Sequence, residues 1–530
     1  MYNILDSDPI ISLSIEADTV DGGGKGGLGI LMKDKIDGSA RLGRPYHLFS
    51  MIYPKKSRQK IEGNNMITEV VDSEYESSLR ERAEFSSVID TKWYPFKTEV
   101  YSNKLNTDKA KNYLVKLSST EGINKWLDSM EVYNHKDKGQ ELFVSYALAK
   151  TTARFLKEKN ITPRVVELNE SDTAVAIPVF KEERLKAKIV GVSHTPEKWG
   201  HKSYLVEDCK MLFNNEAMKM LRWGEDDSCG EKKINFGKIL AHYSDKIACV
   251  SKSHEIYTKE NIYPEYAEKT VGITNGIDIS WVSPHLRELY DEYVPGWSVN
   301  PKLLEEGLEN NVPKDKFLEA LRLNRKESRE AIEDWKANCR LYSNFEKMKD
   351  QPEIIFSKRF VPYKNPDKVL GLVNSFPDAT FIFAGPPIGP WGDHMLQEIK
   401  KTIDNSKSDV AYVINYNREK SRKMVLDGIW VNIPDDNKES SGTSFMKVGM
   451  NGNEVATKIC GSVGDIKIED GVNAFIIKDD LSNMSQKLNE AISVYKDNEK
   501  SGYAAMKTAA SFSYFLMPRM LDDYERNLYC

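Results

Sequence analysis

Apolar positions change their spacing along the chain, and the spacing marks the elements. Ile11, Leu13, Ile15 and Ala17 alternate with Ser12, Ser14 and Glu16, a period of two that predicts a strand. A glycine-rich turn from Asp21 to Gly29 follows, then a helix is expected over 30–41 and a second strand over 45–53. Residues 141–157 read as an amphipathic helix through Leu142, Phe143, Tyr146, Leu148 and Phe155. Short buried strands are expected at 164–168, 188–193, 246–250 and 269–273, with a helix at 173–183 between the first two. A second series carries strands at 353–356, 379–384, 410–414, 429–433 and 472–477, with helices at 367–376, 394–404 and 419–426. The final segment, 503–529, is amphipathic and helical. This alternation predicts an α/β fold, mostly parallel sheet with helices on both faces.

Two stretches fall outside the alternation. Residues 68–138 are charged and irregular around the aromatic island Trp93-Tyr94-Pro95-Phe96, and read as an insertion bordering a site. Residues 284–340 are charged and helical, a connector. The expected division is 1–285 (first α/β domain, with the insertion), 286–350 (connector), 351–502 (second α/β domain) and 503–530 (terminal helix).

Composition narrows the function classes. With 75 basic against 80 acidic residues, the net charge of −5 gives no basic footprint for nucleic acid. No apolar run approaches the roughly 20 residues of a membrane span. Met1 to Ile10 lacks the basic and apolar regions of a secretory signal. The six cysteines, Cys229 among them, form no Cys-x-x-Cys pair, so a reduced cytoplasmic setting without a zinc ribbon is expected.

The candidate chemistry sits at strand ends, where open parallel sheets bind ligands. Asn169 and Glu170 end one strand, His194 and Thr195 another, and Thr274-Asn275-Gly276 a third. Gly24-Lys25-Gly26-Gly27-Leu28-Gly29 fits G-x-G-x-x-G, but no acid stands at the end of the next strand, which argues against a dinucleotide. Lys358, Arg359 and Lys364 cluster after the 353–356 strand and suit a phosphate. After the 429–433 strand comes Glu439-Ser440-Ser441-Gly442-Thr443-Ser444-Phe445-Met446-Lys447. A helix beginning there offers unpaired amides to an anion, and Lys447 rises one turn after Thr443. Such a pairing suits a phosphorylated cofactor held covalently by the lysine. An ordinary Ser/Thr helix cap with a solvated lysine is the alternative.

These blocks together resemble the α-glucan (glycogen, maltodextrin) phosphorylases, in particular their short form. The resemblance rests on Gly26-Gly27-Leu28-Gly29, Val166 to Thr173, His194-Thr195-Pro196, Ile273 to Ile277 with Trp281, Lys358-Arg359 with Tyr363-Lys364, Asn415-Tyr416, and Glu439 to Gly452. It implies a GT-B fold, two Rossmann-like domains facing across a cleft, with the last helix crossing back to the first domain. It implies pyridoxal 5′-phosphate on Lys447, with Lys358, Tyr416, Gly442, Thr443 and Ser444 around it. Arg359 and Lys364 would grip inorganic phosphate. Glu439, Ser441, His194, Asn275 and Asn169 would surround the sugar, with the Gly27 and Leu28 amides near the reacting centre. The implied partners are α-glucan or maltodextrin, phosphate and glucose 1-phosphate, with a homodimer as the candidate assembly.

The chain also departs from that pattern. Asn169-Glu170-Ser171-Asp172 stands where short relatives have Asn-Glu-Gly-His. Gly461 to Gly471 looks more like the tail of retaining transferases that use nucleotide sugars. That alternative, a glycogen-synthase-like transferase without pyridoxal phosphate, stays open beside phosphorolysis, as does a catalytically idle carbohydrate-binding relative.

Overall fold

The computed structural model describes residues 8–62, 65–120, 125–197, 200–227, 230–435 and 438–530. Cys229 lies outside them. The chain divides into two compact units. The first takes the described residues of Met1–Ser57, Val70–Thr274 and Leu521–Cys530; the second takes Arg58–Glu69 and Asn275–Met520.

The strands in chain order are β1 (Ile10–Leu13), β2 (Tyr46–Met51), β3 (Lys55–Glu62), β4 (Asn65–Asp72), β5 (Phe85–Ile89), β6 (Phe96–Ser102), β7 (Ala110–Ser119), β8 (Val165–Asn169) and β9 (Lys188–Ser193). Next come β10 (Ser203–Leu205), β11 (Glu225–Asp226), β12 (Lys233–Asn235), β13 (Lys246–Cys249) and β14 (Thr270–Gly272). The first unit holds a nine-stranded sheet in the order β14-β13-β9-β8-β1-β2-β7-β6-β5. From β14 to β7 neighbours run parallel; β6 and β5 are antiparallel additions. Winding starts at β1, runs outward through β2 to β7, then returns to the other side of β1 with β8. This is the doubly wound order.

The structure corrects the reading of 68–138 as an irregular insertion. Its middle forms β5, β6 and all of β7, which lengthen the main sheet. Alternation is present in β6, where Phe96, Thr98, Val100 and Ser102 are buried and Lys97, Glu99 and Tyr101 are not. The charged outward positions masked it. The start of that segment, in contrast, belongs to the hairpin β3–β4, most of which is grouped with the second unit. Gln59 of the hairpin exchanges backbone and amide hydrogen bonds with Asn415, including Gln59 N to Asn415 Oδ1 at 2.6 Å and Asn415 Nδ2 to Gln59 O at 3.0 Å.

In the second unit the strands are β15 (Leu341–Ser343), β16 (Glu353–Ser357), β17 (Thr380–Ala384), β18 (Asp409–Val413), β19 (Ile429–Asn432), β20 (Val455–Thr457) and β21 (Phe475–Ile476). Their order is β15-β18-β17-β16-β19-β20-β21, parallel except for β15 at the edge. Again the winding reverses beside the first parallel strand, here between β16 and β19. The expected helix at 367–376 is shorter, Pro366–Leu370 followed by a 3₁₀ turn. The charged connector folds as Pro284–Tyr293, Lys302–Asn311 and Lys314–Ala337, all within this unit.

The C-terminal part of the chain is shared between the units. The helix Asn498–Phe512 packs on Ser444–Met450 in the second, with the Phe445 and Phe512 rings 5.9 Å apart. Leu521–Cys530 belongs to the first, where Arg164 pairs with Glu525 at 2.7 Å and the Tyr529 hydroxyl donates to buried Glu167. Among the described residues no helix is long and apolar enough to cross a membrane.

Gly449 lies where the two helices approach most closely. A β-carbon there would overlap the Phe512 ring. Gly449→Ala is therefore expected to destabilise the second unit by about 1–3 kcal/mol through overpacking, read as an earlier transition in urea. An unchanged transition would show that the helices can separate at no cost.

Candidate active site

In a doubly wound sheet, ligands bind beyond the carboxyl ends of the strands where the winding reverses. In the second unit that point lies between β16 and β19. Lys358 follows β16 and Asn432 ends β19. The Lys358 amine bridges the gap, donating to Asn432 Oδ1 at 2.6 Å and to Ser444 Oγ at 3.0 Å. Gly385, at φ +131°, lets the end of β17 pass the Lys358 carbonyl, which a β-carbon would strike.

Ser444 opens the helix Ser444–Met450. Thr443 precedes it without a side-chain cap hydrogen bond, and Lys447 is 3 % exposed. Neither feature matches a capped helix carrying a solvated lysine. The Lys447 amine lies 3.8 Å over the Trp281 ring, which Arg418 and Arg422 also approach at 4.7 and 5.7 Å. Cations are drawn to the ring's negative face. Asn451 fixes this shelf: its Nδ2 donates to the Trp281 carbonyl at 2.9 Å and to the Lys447 carbonyl at 2.8 Å, and its Oδ1 accepts from Ser283 N at 2.8 Å.

Lys364 forms an ion pair with Glu439, both largely buried. Asn365, left-handed at φ 58°, ties this loop to the end of β19 through the Ile433 carbonyl at 2.9 Å and Asp435 Oδ1 at 2.8 Å. Gly442 abuts the Glu439 carboxylate, and Ser441 donates to Ser462 Oγ at 3.0 Å. Arg359 is half-buried near Lys364 and has no side-chain hydrogen bond or ion pair among the described residues. Tyr416, beyond β18, donates to Ser421 Oγ at 2.6 Å. Asn275 is buried with its Oδ1 unpartnered.

The electrostatics follow from burial. Lys358 is pushed down to about 8 by loss of water, with neutral oxygens as its hydrogen-bond acceptors. Lys364 is pushed down too, by burial and then by the charges of Lys358 and Arg359; its ion pair with Glu439 opposes this.

The first unit has its own reversal point, between β1 and β8. Asn169 ends β8, buried, and donates through Nδ2 to Ser12 Oγ, the Leu13 carbonyl and Glu167 Oε1 at 2.9, 3.1 and 3.1 Å. His194 Nε2 stands 3.4 Å from Asn169 Oδ1. Burial lowers that imidazole to about 3. Glu170, left-handed at φ 68°, accepts from His194 N at 2.9 Å and Thr195 Oγ1 at 2.8 Å, and burial raises it to about 7.

Gly27 and Leu28 open the helix Gly27–Arg41, with Gly27 exposed. Sequence reasoning missed the part of Glu16. Its carboxylate accepts the preceding amides of Lys25 and Gly26, and the Tyr133 hydroxyl at 2.8 Å. It also missed Asn432 and Arg422. Of these, only Asn432, a polar residue closing an apolar strand, carried a local signal.

No protein-family model matches the chain. It is similar to the maltodextrin phosphorylase of Thermococcus litoralis, 25% identical over 490 residues, covering 81% of this chain and 57% of that protein. It is similar to the glycogen phosphorylase of Aquifex aeolicus, 26% identical over 500 residues, covering 81% of this chain and 70% of that protein. It is similar also to the glycogen synthase of Protochlamydia amoebophila, 27% identical over 195 residues, covering 33% of this chain and 36% of that protein. The chain thus spans little more than half the length of the first relative. These relatives are enzymes of the glycosyltransferase type, and the likeness to phosphorylases covers most of this chain.

A pH dependence follows from Lys358. The folded state binds its proton less tightly than the unfolded state, so between about 8 and 10.5 the unfolded chain holds the extra proton. Stability therefore rises with pH across that window, and the penalty is complete below it. Wild-type protein should gain stability from about pH 8 toward 10.5 in denaturant titrations, and Lys358→Met should lack that gain. Parallel profiles would contradict a desolvated amine.

Proposed function

We propose that the chain is a retaining α-glucan phosphorylase, its two α/β units corresponding to the halves of a GT-B enzyme, with pyridoxal 5′-phosphate on Lys447. The observation that carries this reading is the buried lysine pair at the opening of one helix. Lys447 is withdrawn from water, and the Lys358 amine meets Ser444, three residues before it. Lys358 meets only neutral oxygens there, a costly setting for a buried cation, and a phosphate monoester would supply the counter-charge.

The residues present fit that group. Lys447 would hold it covalently; Lys358, Gly442, Thr443 and Ser444 would surround its phosphate, with Tyr416 nearby. Bound there, pyridoxal phosphate supplies a second phosphoryl group able to exchange a proton with the substrate phosphate. The chain's own residues do the remaining work. Arg359 and Lys364 bind inorganic phosphate, Arg359 through its forked donors and Lys364 as a point charge. As phosphate enters, it competes with Glu439 for Lys364, which frees the carboxylate for sugar hydroxyls. Ser441, Asn169 and His194 offer further polar contacts, and the unpartnered Asn275 Oδ1 is a ready acceptor for a hydroxyl. The Gly27 and Leu28 amides, at a helix start, face no intrahelical acceptor.

The glycosidic C–O bond breaks, the departing glucan oxygen takes the proton of the substrate hydrogen phosphate, and an oxygen of that phosphate bonds to the anomeric carbon on the same face. The products are a glucan shorter by one residue and α-glucose 1-phosphate. Fixed cations beside an oxocarbenium-like transition state supply the electrostatic stabilisation. The reading is of a cytoplasmic enzyme acting on α-glucan or maltodextrin.

A nucleotide-sugar transferase is the second reading. It is favoured by the similarity to a glycogen synthase and by the Gly461–Gly471 run, with Arg359 and Lys364 then on a diphosphate.

Purified protein given maltodextrin and phosphate should release glucose 1-phosphate, and Arg359→Ala should lower that rate at least about a hundredfold, as expected for removing a charged transition-state contact. Release of a nucleoside diphosphate from a nucleotide sugar, with no phosphorolysis, would overturn the first reading in favour of the second.

A further inference from the structure

One cavity of the second unit lies apart from the site described above. It measures about 550 Å³ and runs along the helix Lys314–Ala337, lined by Arg322, Arg325, Lys326, Arg329, Glu330 and Glu333. Its size is that of a small-molecule site. The four cations fall at i, i+3, i+4 and i+7, on one face of the helix, where like charges repel.

The cavity is tied to the amino ends of the parallel strands. Arg329 Nε is 3.4 Å from buried Glu353, the first residue of β16, and Arg325 Nε is 3.4 Å from Asp427, two residues before β19. Lys358 and Asn432 stand at the carboxyl ends of those same strands. The five residues of β16 alone span about 16 Å.

Arg325 is held ready for an anion. Its guanidinium lies 4.1 Å over the Tyr495 ring. Asp427 Oδ2 faces Arg325 Nε and also accepts from the Tyr495 hydroxyl at 3.0 Å, so one carboxylate keeps the stack together. A guanidinium fixed flat on a ring keeps its forked donors in one orientation. Among the described residues the two Nη groups of Arg325 make no hydrogen bond, and Arg322 makes no hydrogen bond or ion pair. Lys326 reaches Glu330 only at 3.8 Å, with both side chains largely exposed, a contact that contributes little. Arg329 is engaged already, with Asp350 at 2.7 Å and the Gln351 carbonyl at 3.2 Å. Glu333 is engaged too, accepting from Met348 N at 2.5 Å.

We propose that this cavity binds a small molecule through a phosphoryl dianion, held by the Arg325 fork, Arg322 and Lys326. Three cations on one helix face suit a tetrahedral group with three charged oxygens better than a carboxylate, which has two. Lys326 leaves Glu330 at little cost, since both reach water. The site goes beyond the strand-end chemistry and does not depend on the reaction assigned there.

Arginine footprinting of the full chain tests it. Phenylglyoxal modifies accessible guanidinium groups, and peptide mass spectrometry reads each arginine separately. Inorganic pyrophosphate at about ten times its Kd should slow modification of Arg322 and Arg325 roughly tenfold, the fraction of sites left empty. Succinate at the same concentration should leave the rate unchanged. Lys326→Gln, at an exposed position, should raise the half-protecting pyrophosphate concentration about tenfold, the scale of one hydrogen bond to a charged group. Arg359→Ala should leave that concentration unchanged. Equal modification with and without pyrophosphate overturns the site. Equal protection by succinate overturns the phosphoryl class, and loss of protection in Arg359→Ala would put the anion at the strand ends instead. An unchanged half-protecting concentration in Lys326→Gln contradicts the role of that amine. No arm requires turnover, so protein inactive in phosphorolysis still decides the proposal.

Discussion

Both units depend on one topological constraint. Each parallel sheet winds outward from its first strand and then restarts on that strand's other side, leaving a gap between diverging loops at the strands' carboxyl ends. Polar side chains planted at those ends have no strand partner above them, so they turn to one another. Lys358 reaches from the end of β16 to Asn432 at the end of β19. Asn169 reaches from the end of β8 to Ser12 and Leu13 of β1. In each case long-range hydrogen bonds from a single side chain close the gap and set the floor of a candidate site.

The two floors differ in charge. In the first unit buried Glu167 and buried Lys35 neutralise each other, and the surrounding imidazole is neutral; the arrangement suits recognition of uncharged hydroxyls. In the second unit cations accumulate. Lys358 meets neutral oxygens, Lys364 meets Glu439, Arg359 stands beside them, and Lys447, Arg418 and Arg422 gather on the Trp281 ring. Of these, Lys358, Lys364 and Lys447 are buried while Arg359, Arg418 and Arg422 reach water, and a buried amine among neutral oxygens, such as Lys358, is costly in its charged form. On the proposed reading, one anion fixed at the helix start and one exchangeable beside Arg359 and Lys364 would answer that charge. The strand ends of the two units thus differ in chemistry, polar in the first and cationic in the second.

Much of this was legible in the residue order. Apolar runs of four to six residues ending in Asn-Glu, His-Thr or Lys-Arg marked both the strands and the positions where chemistry gathers, because a strand buried on both faces must change to polar residues where it leaves the sheet. Period alone could not recover β5 to β7, where charged residues such as Lys97, Glu99, Lys111 and Lys116 break the apolar run. Nor could it foresee Glu16 folding back onto the Lys25 and Gly26 amides, or Asn451 tying Lys447 to Trp281, since these bonds join residues whose proximity exists only after folding. The departure Ser171-Asp172 from the Asn-Glu-Gly-His of short relatives also takes on meaning only in the structure, where Asp172 is 3.7 Å from Lys202 and Ser171 Oγ accepts from Lys202 N at 2.9 Å.

The central claim is that the Lys447 amine carries a phosphorylated aldehyde cofactor. Borohydride reduction of protein purified with pyridoxal 5′-phosphate, followed by peptide mass spectrometry, tests it most directly. The account predicts a phosphopyridoxyl mass on the peptide containing Lys447, absent from Lys447→Ala. An unmodified Lys447 in reduced protein that remains folded would contradict it.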